Sequence, residues 1–132
     1  MRPFLDTNVF IATVADDPEH GPAAVELLDR DDELLTSVLN VMALRTVLTK
    51  KHRLDRARAD EIETEIRSDV EVVIPDAEGV MNANDLQQRT LLYPMDCLIL
   101  ACAEGCDATL ASFDSELIGN GATNPSALLD GE

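Results

Sequence analysis

The stretch Phe4-Leu5-Asp6-Thr7-Asn8-Val9-Phe10 decides how this chain is read. An apolar pair runs into three polar residues, and a second apolar run, Val9 to Ile11, follows at once. That order predicts a short strand over residues 2–5 and a helix from about Asn8 to Ala15, with Asp6 at the lip of a sheet. A carboxylate there has two readings. Asp6 or Asn8 can cap the following helix, as such side chains commonly do. Alternatively, the sheet edge holds Asp6 out for chemistry, with Thr7 and Asn8 setting its orientation. The rest of the chain has to choose between these readings.

Outward from this stretch, strand and helix patterns alternate. Pro18 to Leu28 reads as a second helix with Val25 and Leu28 on its apolar side, and Glu33 to Ser37 (ELLTS) as a strand. Ser37 then caps a helix whose apolar positions Val38, Val41, Met42, Leu44 and Leu48 recur at helical spacing. Asp55 to Arg67 is a charged helix with one stripe, Ala59, Ile62 and Ile66. Glu71 to Pro75 (EVVIP) is a third strand ended by proline, and Asp76 caps a long helix running to about Leu91. Pro94 opens a helix over Met95 to Glu104, which Gly105 closes. Ala108 to Ala111 is a fourth strand. The tail predicts a short helix after Asp114 and an edge strand around Ala122 to Asn124.

Parallel strands joined through helices need crossover connections. The expected fold is therefore a single α/β domain over residues 1–132, an α/β/α sandwich around a mainly parallel sheet of four or five strands. In such sheets the ligand site lies off the carboxyl ends of the strands.

Composition narrows the class. The 132 residues are 45% hydrophobic but only 3% aromatic, so the core is aliphatic and alanine-rich. No apolar run approaches a membrane span and no basic segment precedes a signal-like core, which predicts a soluble, cytoplasmic protein without a membrane partner. The net charge is −16, and the acids are scattered through patterned segments rather than gathered in a tail. Only two of the ten basic residues are lysines, Lys50 and Lys51. Self-repulsion on this scale needs screening, which suggests a chain solvated by concentrated salt in a halophile, a haloarchaeon in particular. Cys97, Cys102 and Cys106 form no C-x-x-C pair, and His20 and His52 add no zinc spacing, so the thiols read as reduced and buried.

Two further acids fall at the edge where Asp6 is expected. Asp96 lies in the first turn of PMDCLILACAEG, a helix apolar nearly all round. The helix dipole and free N–H groups offer it one kind of compensation, and a cation another. Asp114 follows the fourth strand, at its carboxyl end, with Glu116 two residues on. Asp107 precedes that strand and sits about 17–20 Å away at the opposite edge. Three carboxylates at one edge repel unless a cation lies between them. All-oxygen ligands suit a hard divalent ion, Mg²⁺ or Mn²⁺, which keeps waters that can be activated to attack a phosphodiester.

FLDTNVF, TSVLNVMALR, MDCLILACA and LASFD, in this order and spacing, resemble the PIN-domain ribonucleases, especially the VapC-type toxins of VapBC toxin–antitoxin pairs. The resemblance covers essentially the whole chain. It implies a Mg²⁺-dependent endoribonuclease, usually a homodimer, held inactive by a cognate antitoxin. It places Asp6, Asp96 and Asp114 on the first, third and fourth acidic positions of the family, and Ser112 on the hydroxyl beside the metal pocket. The second acidic position, a Glu six residues after Ser37, is Ala43 here. Asn40, one turn earlier on the same face, offers a neutral oxygen in its stead. Loss of one carboxylate weakens the metal site, so this chain is expected to be an inactive or impaired nuclease, by engineering or by natural degeneration.

Six of the ten basic residues lie between Arg45 and Arg58. Arg45, Lys50, Lys51 and Arg53 therefore read either as a solvated helix end or as a platform for RNA backbone or an acidic antitoxin segment. Other classes fit less well. A phosphohydrolase would want a phosphate grip, and no glycine-rich loop is present. A receiver domain would want a later lysine, and none follows Lys51. A catalytically silent RNA-binding or regulatory module stays open, because Ala43 favours it.

Overall fold

The computed structural model describes residues 2–30 and 33–130. Four three-residue strands, β1 (Pro3–Leu5), β2 (Leu35–Ser37), β3 (Glu71–Val73) and β4 (Thr109–Ala111), form one sheet in the order β3-β2-β1-β4. Every pairing is parallel. The helices are α1 (Thr7–Val14), α2 (Gly21–Leu28), α3 (Val38–Thr46), α4 (Arg56–Asp69), α5 (Ala77–Thr90), α6 (Pro94–Gly105), α7 (Ser115–Ile118) and α8 (Pro125–Asp130). The strand–helix alternation expected from the sequence is thus realised as a parallel sheet with helices on both faces.

The two faces can be read along β1, where side chains alternate. Phe4 points into a core built with Leu35, Leu110 and the α5–α6 hairpin, including Leu86, Ile99, Leu100 and Ala103. Leu5 points into the opposite core, with Val9 and Phe10 of α1, Leu27 of α2, Leu44 of α3, Ile62 of α4 and Leu128 of α8. Strands this short span only about 10 Å, so the helices supply most of the burial and project past the sheet. Cys97 and Cys102 are buried and Cys106 partly so, all as free thiols. Among the described residues, no helix is long and apolar enough to cross a membrane.

Several local expectations are corrected. Helix α2 starts at Gly21, because the Asp17 side chain accepts from the Glu19 and His20 amides and holds Pro18–His20 in a turn. Its buried face is Gly21, Ala24 and Leu27, with Val25 exposed. Small residues let it approach α1 closely: a Cβ on Gly21 would stand 3.3 Å from the Ala12 carbonyl oxygen. Met42 of α3 is 51% exposed, since the buried stripe runs through Asn40, Val41, Leu44 and Leu48 and leaves position 42 off to one side. Beyond Thr46 that helix widens into a π-helical turn, Val47–Lys51. The edge strand near Ala122 is a single parallel bridge, Ala111 to Thr123. Helix α8, which the sequence reading left out, buries Pro125 and Leu128.

Candidate functional site

The site begins where β1 stops. The Asp6 amide still donates to the Ala111 carbonyl at 3.0 Å, continuing the ladder to β4, and the chain then turns into α1. Asp6 is the N-cap of that helix, its Oδ1 accepting from the Thr7 amide at 2.9 Å. Its Oδ2 accepts from the Ser112 hydroxyl at 2.8 Å. Capping therefore falls to Asp6 rather than to Asn8, and it occupies one oxygen only.

Ser112, fully buried just past β4, ties the edge together. Besides donating to Asp6, its oxygen accepts from the Asn8 amide at 3.0 Å and from the Asp114 backbone N–H at 3.1 Å. Asn8 in turn accepts from the Phe113 amide at 3.2 Å. Asn8 and Ser112 thus fasten the start of α1 to the turn that carries Asp114. Asp114 caps α7, with its Oδ1 accepting from the Glu116 and Leu117 amides at 2.9 and 3.2 Å.

A second network, on the β2 side, went unread in the sequence. Thr36 and Asn40 are fully buried polar residues. The Thr36 hydroxyl donates to the Leu5 carbonyl at 2.7 Å, and the Asn40 amide donates to the same carbonyl at 3.1 Å. The Asn40 Oδ1 accepts from the Thr7 hydroxyl at 2.9 Å. Asn40 is therefore committed to holding the end of β1 and does not offer a free oxygen to a ligand. Such a buried amide must be satisfied internally or its burial costs stability.

Asp96 enters from α6, half-buried in the first turn. Burial pushes its carboxyl up to about 6, and the nearby negative charges of Asp6, Asp114 and Glu116 add to the rise. Asp6 is also raised, chiefly by burial and further by Asp114, against the hydrogen bonds from Ser112 and Thr7. Asp6, Asp96, Asp114 and Glu116 therefore share one electrostatic neighbourhood at the carboxyl edge of the sheet. Among the described residues, no three His, Cys, Asp or Glu side chains are gathered tightly enough to hold a metal ion as they stand. The chemistry of the set nonetheless fits a hard divalent cation: the donors are all oxygen, and like charge acting on buried carboxyls is what such an ion relieves. Ala43, partly exposed on α3, lies one turn beyond Asn40 and brings no donor.

The basic residues lie elsewhere. Lys50 stands twelve residues beyond Val38, the first residue of α3, so it is about 18 Å along the helix from the acidic edge. Arg45 is held by Glu63 at 2.6 Å, and Arg67 shares that carboxylate at 3.2 Å. Lys50, Lys51 and Arg53 are exposed, Arg53 with a left-handed φ of 57°. Arg45, Thr46, Thr49, Lys50, Arg56 and Asp60 line a cleft of about 550 Å³ there.

Residues 4–120 match the PIN domain family, and the chain belongs to it. No curated protein matches its sequence. Among solved structures, it is similar to the sarcin–ricin-loop-cleaving toxin VapC20 of Mycobacterium tuberculosis, with a TM-score of 0.77 and 19% identity over 92% of this chain and 96% of that one. A toxin–antitoxin complex from Klebsiella pneumoniae matches with a TM-score of 0.73 and 19% identity, over 93% of this chain and 97% of the other. DNA-bound VapBC from Salmonella typhimurium matches at 0.66 and 21% identity, over 84% and 85%.

Proposed function

We propose that this chain is a toxin-type endoribonuclease that works with Mg²⁺ or Mn²⁺ and is impaired as it stands by Ala43. The observation that supports this reading is that Asp6, Asp114 and Glu116 all act by like charge on the half-buried Asp96 at the carboxyl edge of the sheet, in a PIN domain. VapC20, similar in fold, is a sarcin–ricin-loop-cleaving toxin.

In this reading Asp6, Asp96 and Asp114 hold the ion, and Glu116 stands behind them. The bound ion supplies charge neutralisation and Lewis-acid activation of water. The protein's own part is placement. Ser112 and the Thr7 amide fix both oxygens of Asp6, while Asn8 keeps the Asp114 turn in register with α1. Arg45, Lys50, Lys51 and Arg53 serve RNA backbone at a distance from the cut, or an acidic segment of a partner. A cognate antitoxin and a second copy of the chain are the partners this reading carries, the first because the Klebsiella and Salmonella neighbours are toxin–antitoxin assemblies.

Replacing Ala43→Glu and assaying RNA cleavage with Mg²⁺ tests the reading. Cleavage is expected to rise on the order of 10²-fold or more over the parent chain. No cleavage with the Glu in place would sink it. The second reading, a silent RNA-binding module, is favoured by Ala43 itself. It predicts that the Ala43→Glu chain binds RNA but takes up no Mn²⁺.

A further inference from the structure

Three free cysteines lie on or just beyond α6, and two of them share a space that the acidic edge does not use. Cys102 and Cys106 both line a cavity of about 220 Å³ between the second half of α6 and the turn from β3 into α5. Small residues leave the room: Gly79 on α5, and Ala101 and Gly105 on α6. Cys97 is spent elsewhere on the helix, its buried thiol donating to the Leu92 carbonyl at 3.8 Å.

One helical turn sets the Cβ atoms of such a pair about 5–6 Å apart. A disulfide needs about 3.5–4.5 Å, so an S–S bond here would have to unwind the end of α6. Two sulfurs on one ion, with metal–sulfur bonds of about 2.3 Å, stand up to about 4.6 Å apart. Staggered χ1 rotamers can supply that span without moving the helix. The two thiols are neighbours: burial, and next the charge of Cys106, raises the Cys102 thiol, against a hydrogen bond with Ser37. Among the described residues no three His, Cys, Asp or Glu side chains form a metal-holding group. The pair therefore lacks the further ligands that zinc takes, and thiolates alone suit a soft ion content with two.

We propose that Cys102 and Cys106 bind one soft monovalent cation of the Cu(I) class, as a two-coordinate bis-thiolate in the cavity between α6 and the β3–α5 turn. Each thiol releases its proton to solvent and donates a sulfur lone pair to the ion, and no electron is transferred. Two thiolates and one Cu⁺ leave a singly negative centre. The Arg2 guanidinium donates to the Cys106 carbonyl and is close enough to feel the charge of its thiolate, while Glu33 holds Arg2 at 3.0 Å. Cys102 and Cys106 stand six and ten residues along the helix from Asp96, about 9 and 15 Å. The site is thus separate from the acidic edge and independent of the nuclease reading.

The experiment titrates the reduced parent chain, without oxygen, with Cu(I) held by a chelator of known affinity, in excess Mg²⁺. Uptake of a single ion per chain is expected, with thiolate-to-copper absorption in the near ultraviolet and a raised thermal midpoint. Bound Cu(I) should also shield Cys106 from iodoacetamide. Cys102→Ala and Cys106→Ala should each weaken uptake at least about a hundredfold, and Cys97→Ala should leave it unchanged. Circular dichroism checks each variant, and Cys106, partly exposed, is the position least tied to the core. No uptake by the parent, or parental uptake by a folded Cys106→Ala chain, would overturn the site. So would uptake that Mg²⁺ displaces, since the ion then sits among the carboxylates. A Cys102–Cys106 disulfide formed by oxidised glutathione with the helix signal intact would also overturn it, because the pair is then a redox couple.

Discussion

On the β1–β4 side of the acidic edge, Asp6 is gripped at both oxygens, by the Thr7 amide at 2.9 Å and the Ser112 hydroxyl at 2.8 Å. On the α6 side, Asp96 is surrounded by like charge and pushed up to about 6. Both carboxylates face the same edge, but among the described residues only Asp6 is placed by hydrogen bonds. The first side is organised in advance of any ligand. The second carries unrelieved like charge, and in the proposed cation site position 43 is an alanine that brings no donor. Sites that store such strain commonly give up stability for function.

That contrast makes substitutions on the two sides act with opposite sign. Ser112→Ala leaves the Asn8 amide and the Asp114 N–H without their acceptor and the Asp6 Oδ2 without its donor, while the Thr7 amide keeps Oδ1. Loss of about 1–3 kcal/mol is expected, read as a lower urea midpoint. Asp96→Asn removes a repelled charge and is expected to raise the midpoint of the metal-free protein. Equal losses for both substitutions would erase the distinction.

A smaller effect follows from pH. The folded Asp96 carboxyl titrates near 6 against an ordinary value of 3.8, so the native state binds a proton more tightly than the unfolded one. Its contribution is fully present below the ordinary value and is lost as pH rises through about 6. Asp6 acts in the same direction. Glu63, held low by Arg45, works the other way, but only from its ordinary 4.5 downward. The metal-free protein should therefore be more stable at pH 5 than at pH 7, and Asp96→Asn should flatten that slope. A parent whose thermal midpoint falls between pH 7 and 5 would count against the assignment.

The most diffuse effect concerns salt. With a net charge of −16, KCl should raise the thermal midpoint by screening the whole surface. The Ser112→Ala loss should persist at every KCl concentration, because it removes short-range bonds rather than screened charge. A midpoint insensitive to KCl would remove the halophilic reading.

Much of this was legible because it is local. Alternating apolar runs, caps at Ser37 and Asp76, and acids just past strand ends all follow from nearby residues. Asp107 was separable from Asp114 by strand length alone. The buried wiring was not legible. Thr36 and Asn40 meet the Leu5 carbonyl across 31 and 35 residues, and Ser112 meets Asp6 across 106. No local pattern announces such pairs, and a buried Thr or Asn looks like a polar interruption until its acceptor is known. Met42 lies on a helical stripe by spacing yet faces solvent, because the stripe that packs is set by α1, α4 and β2 rather than by the helix itself. Helix α8 is six residues long, too short for periodicity to declare it.

The central claim is that the acidic edge is a cation site lacking one ligand. The direct measurement is a Mn²⁺ titration of the Ala43→Glu chain, followed by thermal unfolding and repeated with Asp96→Asn added. Mn²⁺ is expected to raise the thermal midpoint, by the equivalent of about 2.7 kcal/mol at a hundredfold excess over Kd, and Asp96→Asn should remove most of that rise. A midpoint that Mn²⁺ leaves unmoved, with Glu at 43 and all three aspartates in place, would contradict the account.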